Sequence, residues 1–313
     1  MLRLTGEAGR RLDDSGTLHV SVGGAESNVC VALARLGRSV AWLSALPENP
    51  LGRRIERELR GHGVDTSHVI WSSTDRLGIY FLDPGAAPRP TRVLYDRSDS
   101  AVARIDPDAI DASLVQQSRA LHLTGITPAL SDGCERVCDR LASAAVEAGV
   151  PVVIDVNYRA RLWSAWEASA GLELLLQCAT LVFCGAADAR TLWGIEGEPD
   201  VVGRALLDRS SAELVVITVA EDGAYAVTRD ERVYLQASLP VEIVDPVGAG
   251  DAFAAGFLHR WLDDRSDIPA ALRSATALAA LKMTIFGDHA LISQLELDDA
   301  LALLDGAGTD IDR

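Results

Sequence analysis

Asp245-Pro246-Val247-Gly248-Ala249-Gly250-Asp251 runs directly into Ala252-Phe253 and a helix-forming stretch that continues to Leu262. Glycine has no Cβ, so positions 248 and 250 are expected to take unusual backbone angles and to leave peptide N–H groups uncovered. A helix N-terminus follows, and its first amides and its dipole point at the same spot, which suits a phosphate. Asp251 stands at that spot too. Two roles are open to its carboxylate: capping the helix, or taking a proton from a hydroxyl that attacks a phosphoryl group.

Outward from this loop, short β-rich runs alternate with helical patterns, which favours a largely parallel sheet covered by helices. Strands are expected at Ser39–Ala45, Ala120–Leu123, Val150–Asp155, Thr180–Cys184 and Glu213–Val219. Helices are expected at Ala25–Leu36, Leu51–Arg60, Ser131–Ala148, Ala165–Gln177, Val201–Asp208, Asp251–Leu262 and Ile268–Thr284. Two stretches break the alternation. Thr17–Val22 and the pieces Val69–Ser72, Leu77–Asp83 and Thr91–Tyr95, separated by turns, read as a small β-sheet outside the main one, suited to be a lid. Ligands of open α/β sheets bind beyond the carboxyl ends of the strands, so residues just after the strands are the site candidates.

The composition narrows the function classes. With 313 residues, 48% of them hydrophobic, the chain can build one large α/β domain with an appendage, or two domains. It has no apolar run long enough for a membrane span, and its first residues lack a signal-peptide core. Five cysteines without a C-x-x-C pair read as reduced thiols in the cytoplasm. A formal charge of −16 argues against duplex nucleic acid and requires any phosphate site to be built locally. Lys282 is the only lysine, a bias that either a high-GC genome or a salt-rich cytoplasm explains. That lysine is followed by Met283, so a Walker A loop is excluded, and no G-x-G-x-x-G fingerprint opens an early helix. His19, His62, His68, His259 and His289 show no metal-ligand spacing, and Cys134 and Cys138, four apart on a helix, read as core packing.

The heptapeptide with its following Ala-Phe-Ala-Ala-Gly resembles the C-terminal signature of the ribokinase-like (PfkB) sugar kinases. Val22-Gly23-Gly24-Ala25-Glu26-Ser27-Asn28 resembles their N-terminal Gly-Gly motif. The resemblance covers nearly the whole chain. It implies a three-layer ribokinase-like α/β fold: a mostly parallel central sheet flanked by helices, with a small β-sheet lid. It implies one kinase domain over 1–313, with lid strands from about 10–22 and 68–98. The Gly248, Ala249 and Gly250 amides would form an anion hole, and Asp251 would be the general base. ATP and Mg²⁺ are the implied cofactors, with a monovalent cation left open, and a cytoplasmic homo-oligomer is the implied assembly.

Three more segments, His122–Leu130, Asp155–Arg159 with Leu162-Trp163, and Thr284–Asp288, resemble the 2-keto-3-deoxygluconate kinases of that family. The substrate site implied is Gly24, Asn28, Tyr80, Tyr95, Arg97, Ile126 and Arg159 with Asp251. The reaction implied is ATP-dependent phosphorylation to the 6-phosphate. The alternatives are another sugar such as fructose or ribose, or a binding regulator that has lost catalysis. Read from the residues, Asp155-Val156-Asn157 ends a strand and puts Arg159 on the ligand side. A sugar acid needs a cation there, and arginine supplies a planar fork. Arg97 is the second candidate. The nucleotide site would use Thr218, Ala220, Gly223, Gly248 and Gly250.

Three departures stand out. The family's N-x-x-E reads Gly185-Ala186-Ala187-Asp188, leaving Asp188 as an indirect metal contact. Ala220 replaces a close-approach glycine. The first strand, which should end in Gly-Asp or Gly-Glu, is expected to lie partly upstream of Met1.

Overall fold

The computed structural model describes residues 1–7, 9–85 and 88–304. Leu2–Gly6 forms the first strand, β1, and runs into Glu7, so the strand expected upstream is present with its Gly-Glu end. Arg3 and Thr5 are each 1% exposed, so the two polar positions of the strand face inward. Strand β2 (Leu18–Val22) returns antiparallel to it. Helix α1 (Ala25–Arg35), strand β3 (Ser44–Pro47), helix α2 (Pro50–Gly61) and strand β4 (Val69–Ser72) follow. Asn49 caps α2 by accepting from the Leu51 and Gly52 amides, with Pro50 at the first helical position.

Val69–Ser72 is a strand at the expected residues, but it does not join the outer sheet. It pairs in parallel with β3, because a strand–helix–strand crossover brings the two strands side by side in the same direction. Leu46, Ile55, Leu59 and Val69 then bury together with Leu2, Val31 and Trp42. The outer sheet is completed by β5 (Ile79–Asp83), parallel to β1, and β6 (Arg92–Asp96), antiparallel to β5, giving the order β2-β1-β5-β6.

The central sheet has the order β12-β11-β10-β9-β8-β7. Strands β7 (Leu121–Thr124), β8 (Val152–Asp155), β9 (Leu181–Gly185) and β10 (Leu214–Thr218) are parallel. Strands β11 (Ala224–Thr228) and β12 (Val233–Gln236) add antiparallel at one edge. Alternate residues of the core strands face opposite sides, so each strand feeds two cores. Val152, Ile154, Val182, Val215 and Ile217 pack against α3 (Asp132–Glu147), α4 (Ala165–Gly171), α5 (Glu173–Cys178), α6 (Ala186–Trp193) and α7 (Pro199–Arg209). Val153, Leu181, Phe183, Leu214 and Val216 pack against α1, α8 (Ala249–Trp261), α9 (Ile268–Met283) and α10 (Gln294–Leu304). The three layers are those expected.

Cys134 and Cys138 are wholly buried in the first of these cores. The helix expected over Ala165–Gln177 is two helices that break at Leu172, whose side chain is fully buried. No helix among the described residues is long and apolar enough to cross a membrane. The parallel strands end at Thr124, Asp155, Gly185 and Thr218, and this edge carries the candidate site.

Candidate active site

Gly248 is the N-cap of α8 with φ +86°, in the left-handed region that favours glycine. A Cβ there would stand 2.1 Å from the Asp288 carbonyl oxygen, so both conformation and space require glycine. Gly250 differs from the expectation. It lies inside the helix rather than in an unusual conformation, because α8 begins at Ala249, two residues before the expected start. Nothing lies within 4 Å of where its Cβ would be, so its contribution is open space. The Ala249 amide donates to Pro246 O at 3.2 Å, whereas the Gly250 and Asp251 amides have no backbone acceptor among the described residues. Asp245 braces the loop, accepting from Val247 N and Gly287 N, both at 3.1 Å.

Asp251 is 8% exposed and accepts a 2.7 Å hydrogen bond from Asn28 Nδ2. Burial pushes its carboxyl up to about 7, against the opposing effects of the Asn28 bond and the Arg159 charge. Asp155, which sequence reasoning used only as a strand end, is likewise raised to about 7, by burial and then by the charge of Asp251. Asp188, in the first turn of α6, is raised by burial and accepts from Tyr158 N at 3.3 Å. Arg159 is exposed and acts electrostatically on all three carboxylates and on Arg97. Thr218 Oγ1 and Asp188 Oδ2 both border Gly185. Ala220 holds φ +43°, so this alanine carries backbone strain that a glycine would not. Gly223 approaches Gln236 O too closely for any side chain.

On the opposite side, Arg97 is 7% exposed with its guanidinium carbon 4.0 Å from the Tyr95 ring centroid. Its Nε and Nη2 have no hydrogen-bond partner among the described residues. Burial lowers its pKa, and Arg159 lowers it further. Tyr95 lies 5.9 Å from Tyr80, centroid to centroid, but the Tyr80 hydroxyl is engaged, donating to Asp288 Oδ2 at 2.6 Å. Gly24 begins α1. Two residues on, Glu26 accepts from the Thr124 and Thr127 hydroxyls, which bracket Ile126, so Gly24 and Ile126 share one rim.

Sequence reasoning missed a buried ionic cluster behind this site. Arg3 pairs with Asp245 at 2.7 Å and with Asp288 at 3.0 Å, joining the first strand to the glycine loop. The Lys282 ammonium, fully buried, donates to Asp245 O at 2.9 Å and to Ile285 O at 3.3 Å. Asp288 belongs to a segment that the sequence singled out, but nothing local marked Arg3 as its partner. The histidines also need correction. Folding brings His62 and His289 to a ring separation of 5.9 Å beside Glu58, a grouping that linear spacing does not display.

The sequence pattern of the pfkB family carbohydrate kinases matches residues 3–294. The chain is 39% identical over 313 residues to a 2-dehydro-3-deoxygalactonokinase of Haloferax volcanii, covering 100% of this chain and 96% of that protein. It is 33% identical over 287 residues to a 2-dehydro-3-deoxygluconokinase of Thermoproteus tenax, covering 90% and 86%. The crystal structure of 2-dehydro-3-deoxygluconokinase from Thermotoga maritima superposes with a TM-score of 0.89 at 30% identity, covering 96% of this chain and 95% of that one.

Proposed function

Because the chain belongs to the pfkB family of carbohydrate kinases, we propose that it transfers the γ-phosphoryl group of ATP to the terminal hydroxyl of 2-keto-3-deoxygluconate (2-dehydro-3-deoxygluconate). The product is the 6-phosphate. One observation carries the sugar-acid reading: the buried Nε and Nη2 of Arg97 have no hydrogen-bond partner among the described residues. These two donors form one edge of the guanidinium plane, and that edge matches the two oxygens of a carboxylate. A buried cation without acceptors is costly, and an anionic ligand removes the cost where a neutral sugar does not.

In the proposed mechanism Asp251, held by Asn28, accepts the proton of the attacking hydroxyl, and a carboxyl near 7 suits that task at neutral pH. The Gly250 and Asp251 amides, with the α8 dipole behind them, stabilise charge on the transferring group. The free Oδ1 of Asn28 is available to a sugar hydroxyl. The nucleotide lies along Thr218, Ala220 and Gly223. Asp188 and Asp155, whose carboxyls burial pushes up, offer hard oxygen donors, a set that fits Mg²⁺. These residues would hold the ion, which when bound would supply positive charge against the phosphates. The outer sheet serves as a lid that excludes water, and the chain works as one kinase domain. Leu18, Val20 and Leu94 are exposed on that sheet and support self-association through it. Sedimentation of the protein as a monomer would refute that association.

A second reading, the galactonate epimer as substrate, is favoured by the 39% identity to the Haloferax volcanii kinase. The test measures ADP release with both 2-keto-3-deoxy acids, fructose, ribose and no sugar. Preference for either acid supports the carboxylate reading and separates the epimers. Preference for fructose or ribose rejects it, and absence of turnover with every sugar points to a binding regulator.

A further inference from the structure

Helix α2 places Glu58 in its last turn and His62 at its C-cap, four residues apart and therefore on one face. His289 reaches the same face from the segment that follows α9. One imidazole nitrogen from each histidine and one Glu58 oxygen lie within 4.8 Å of one another. The His289 Nδ1 to Glu58 Oε1 distance is 3.7 Å, longer than a hydrogen bond. Tetrahedral zinc, with ligand distances of about 2.0–2.2 Å, holds its ligands about 3.4 Å apart, so small side-chain rotations close the set.

We propose that Glu58, His62 and His289 form a binding site for one divalent transition-metal ion of the zinc class, outside the residues assigned to catalysis. The donor chemistry selects the ion. Two imidazoles and one carboxylate suit zinc-like ions, whereas Mg²⁺ and Ca²⁺ take oxygen ligands. Three protein ligands leave a fourth position for water. His289 supplies an independent indication: it is 5% exposed, and its Nε2 has no hydrogen-bond partner among the described residues. A buried imidazole with an unmet polar atom is costly as it stands. The exposed Arg35 is the opposing charge near His62.

The location gives the ion a consequence. Asp288, next to His289, anchors Arg3 and Tyr80, and its carbonyl abuts Gly248. A bound ion therefore ties α2 to the segment that backs the glycine loop, and it stabilises the folded state by mass action.

The test uses the protein freed of metal with EDTA. Titration with Co²⁺ should give visible d–d absorption saturating at one ion per chain. Zn²⁺ should compete that signal away and raise the Tm, and EDTA should reverse the rise. His62→Ala and Glu58→Gln, both on partly exposed side chains, should each weaken Co²⁺ binding more than about tenfold. Their Tm in EDTA should match that of the unmutated protein, which separates loss of a ligand from loss of fold. Absence of a one-to-one Co²⁺ signal overturns the proposal. So does undiminished binding in both variants, which would place the ion elsewhere, as among Asp155, Asp188 and Asp251.

Discussion

Replacing Arg97 with methionine keeps an unbranched apolar stem against Tyr95 and removes the charge and every donor. Nε and Nη2 are buried without hydrogen-bond partners among the described residues, and such unmet donors cost about 1–3 kcal/mol each. Arg97→Met should therefore leave the Tm unchanged or raise it. Binding a carboxylate converts the same two donors into charge-assisted hydrogen bonds worth roughly 1.5–3 kcal/mol each. Their loss should total at least about 3 kcal/mol, which is about a hundredfold in KM for the sugar acid. Arg159 is exposed and makes no ion pair among the described residues, so Arg159→Ala should cost about tenfold or less. That order reverses the one read from sequence, where Arg159 came first. The assay is coupled ADP release at saturating ATP, with fructose as the neutral comparison and a thermal melt of each variant. An unchanged KM for the acid together with a Tm several degrees lower would make Arg97 a structural residue and refute the reasoning. Equal losses for the acid and for fructose would do the same.

Asp251→Asn should lower kcat by about 10²–10⁴-fold while sugar binding persists, and a near-normal rate removes Asp251 as the base. Because the ionised form is the base and its pKa is raised to about 7, kcat/KM should climb as pH rises through that value and level off above it. Arg159→Ala removes a charge that holds this pKa down, so the rising limb should move to higher pH; a limb that stays or falls contradicts the assignment. The two loop glycines should separate. Gly248→Ala meets the Asp288 carbonyl and a left-handed backbone worth about 1–2 kcal/mol, so it should destabilise, whereas Gly250→Ala should hold its Tm and lose turnover. A destabilised Gly250→Ala with normal turnover would reverse the two roles. Arg3→Met strands Asp245 and Asp288 without their cation, and urea melts should register a loss of about 3–5 kcal/mol; a loss below about 1 kcal/mol would mean the cluster is balanced by other groups. Molar KCl should raise the Tm by screening the −16 charge, and an unchanged midpoint would leave genome composition to explain the scarcity of lysine.

Contiguous residues by themselves determined the glycine turn that opens α8 and the layered α/β plan. The left-handed turn at Gly248 and the helix it starts are written in adjacent residues, and the apolar runs of β7 to β10 were legible to within two residues because strand periodicity is local. The edge strands β11 and β12 were not singled out, and Val233 and Leu235 of β12 point into solvent rather than marking a core. Only the tertiary structure decided what each charged or pairing group meets. Val69–Ser72 has the composition of a strand, yet its sheet follows from where α2 delivers it. Nothing beside Arg3 in the sequence marks its partners, and Asp245 and Asp288 reach it from the far end of the chain. Arg97 and Arg159 are the same residue type in similar contexts, and burial by the outer sheet separates them. Glu58 and His62 acquire a third ligand only when the segment after α9 arrives with His289. The reason is common to all four cases. Strand pairing and the energy of a charge depend on neighbours that distant segments supply, and the strength of each charge interaction follows the solvent those segments exclude.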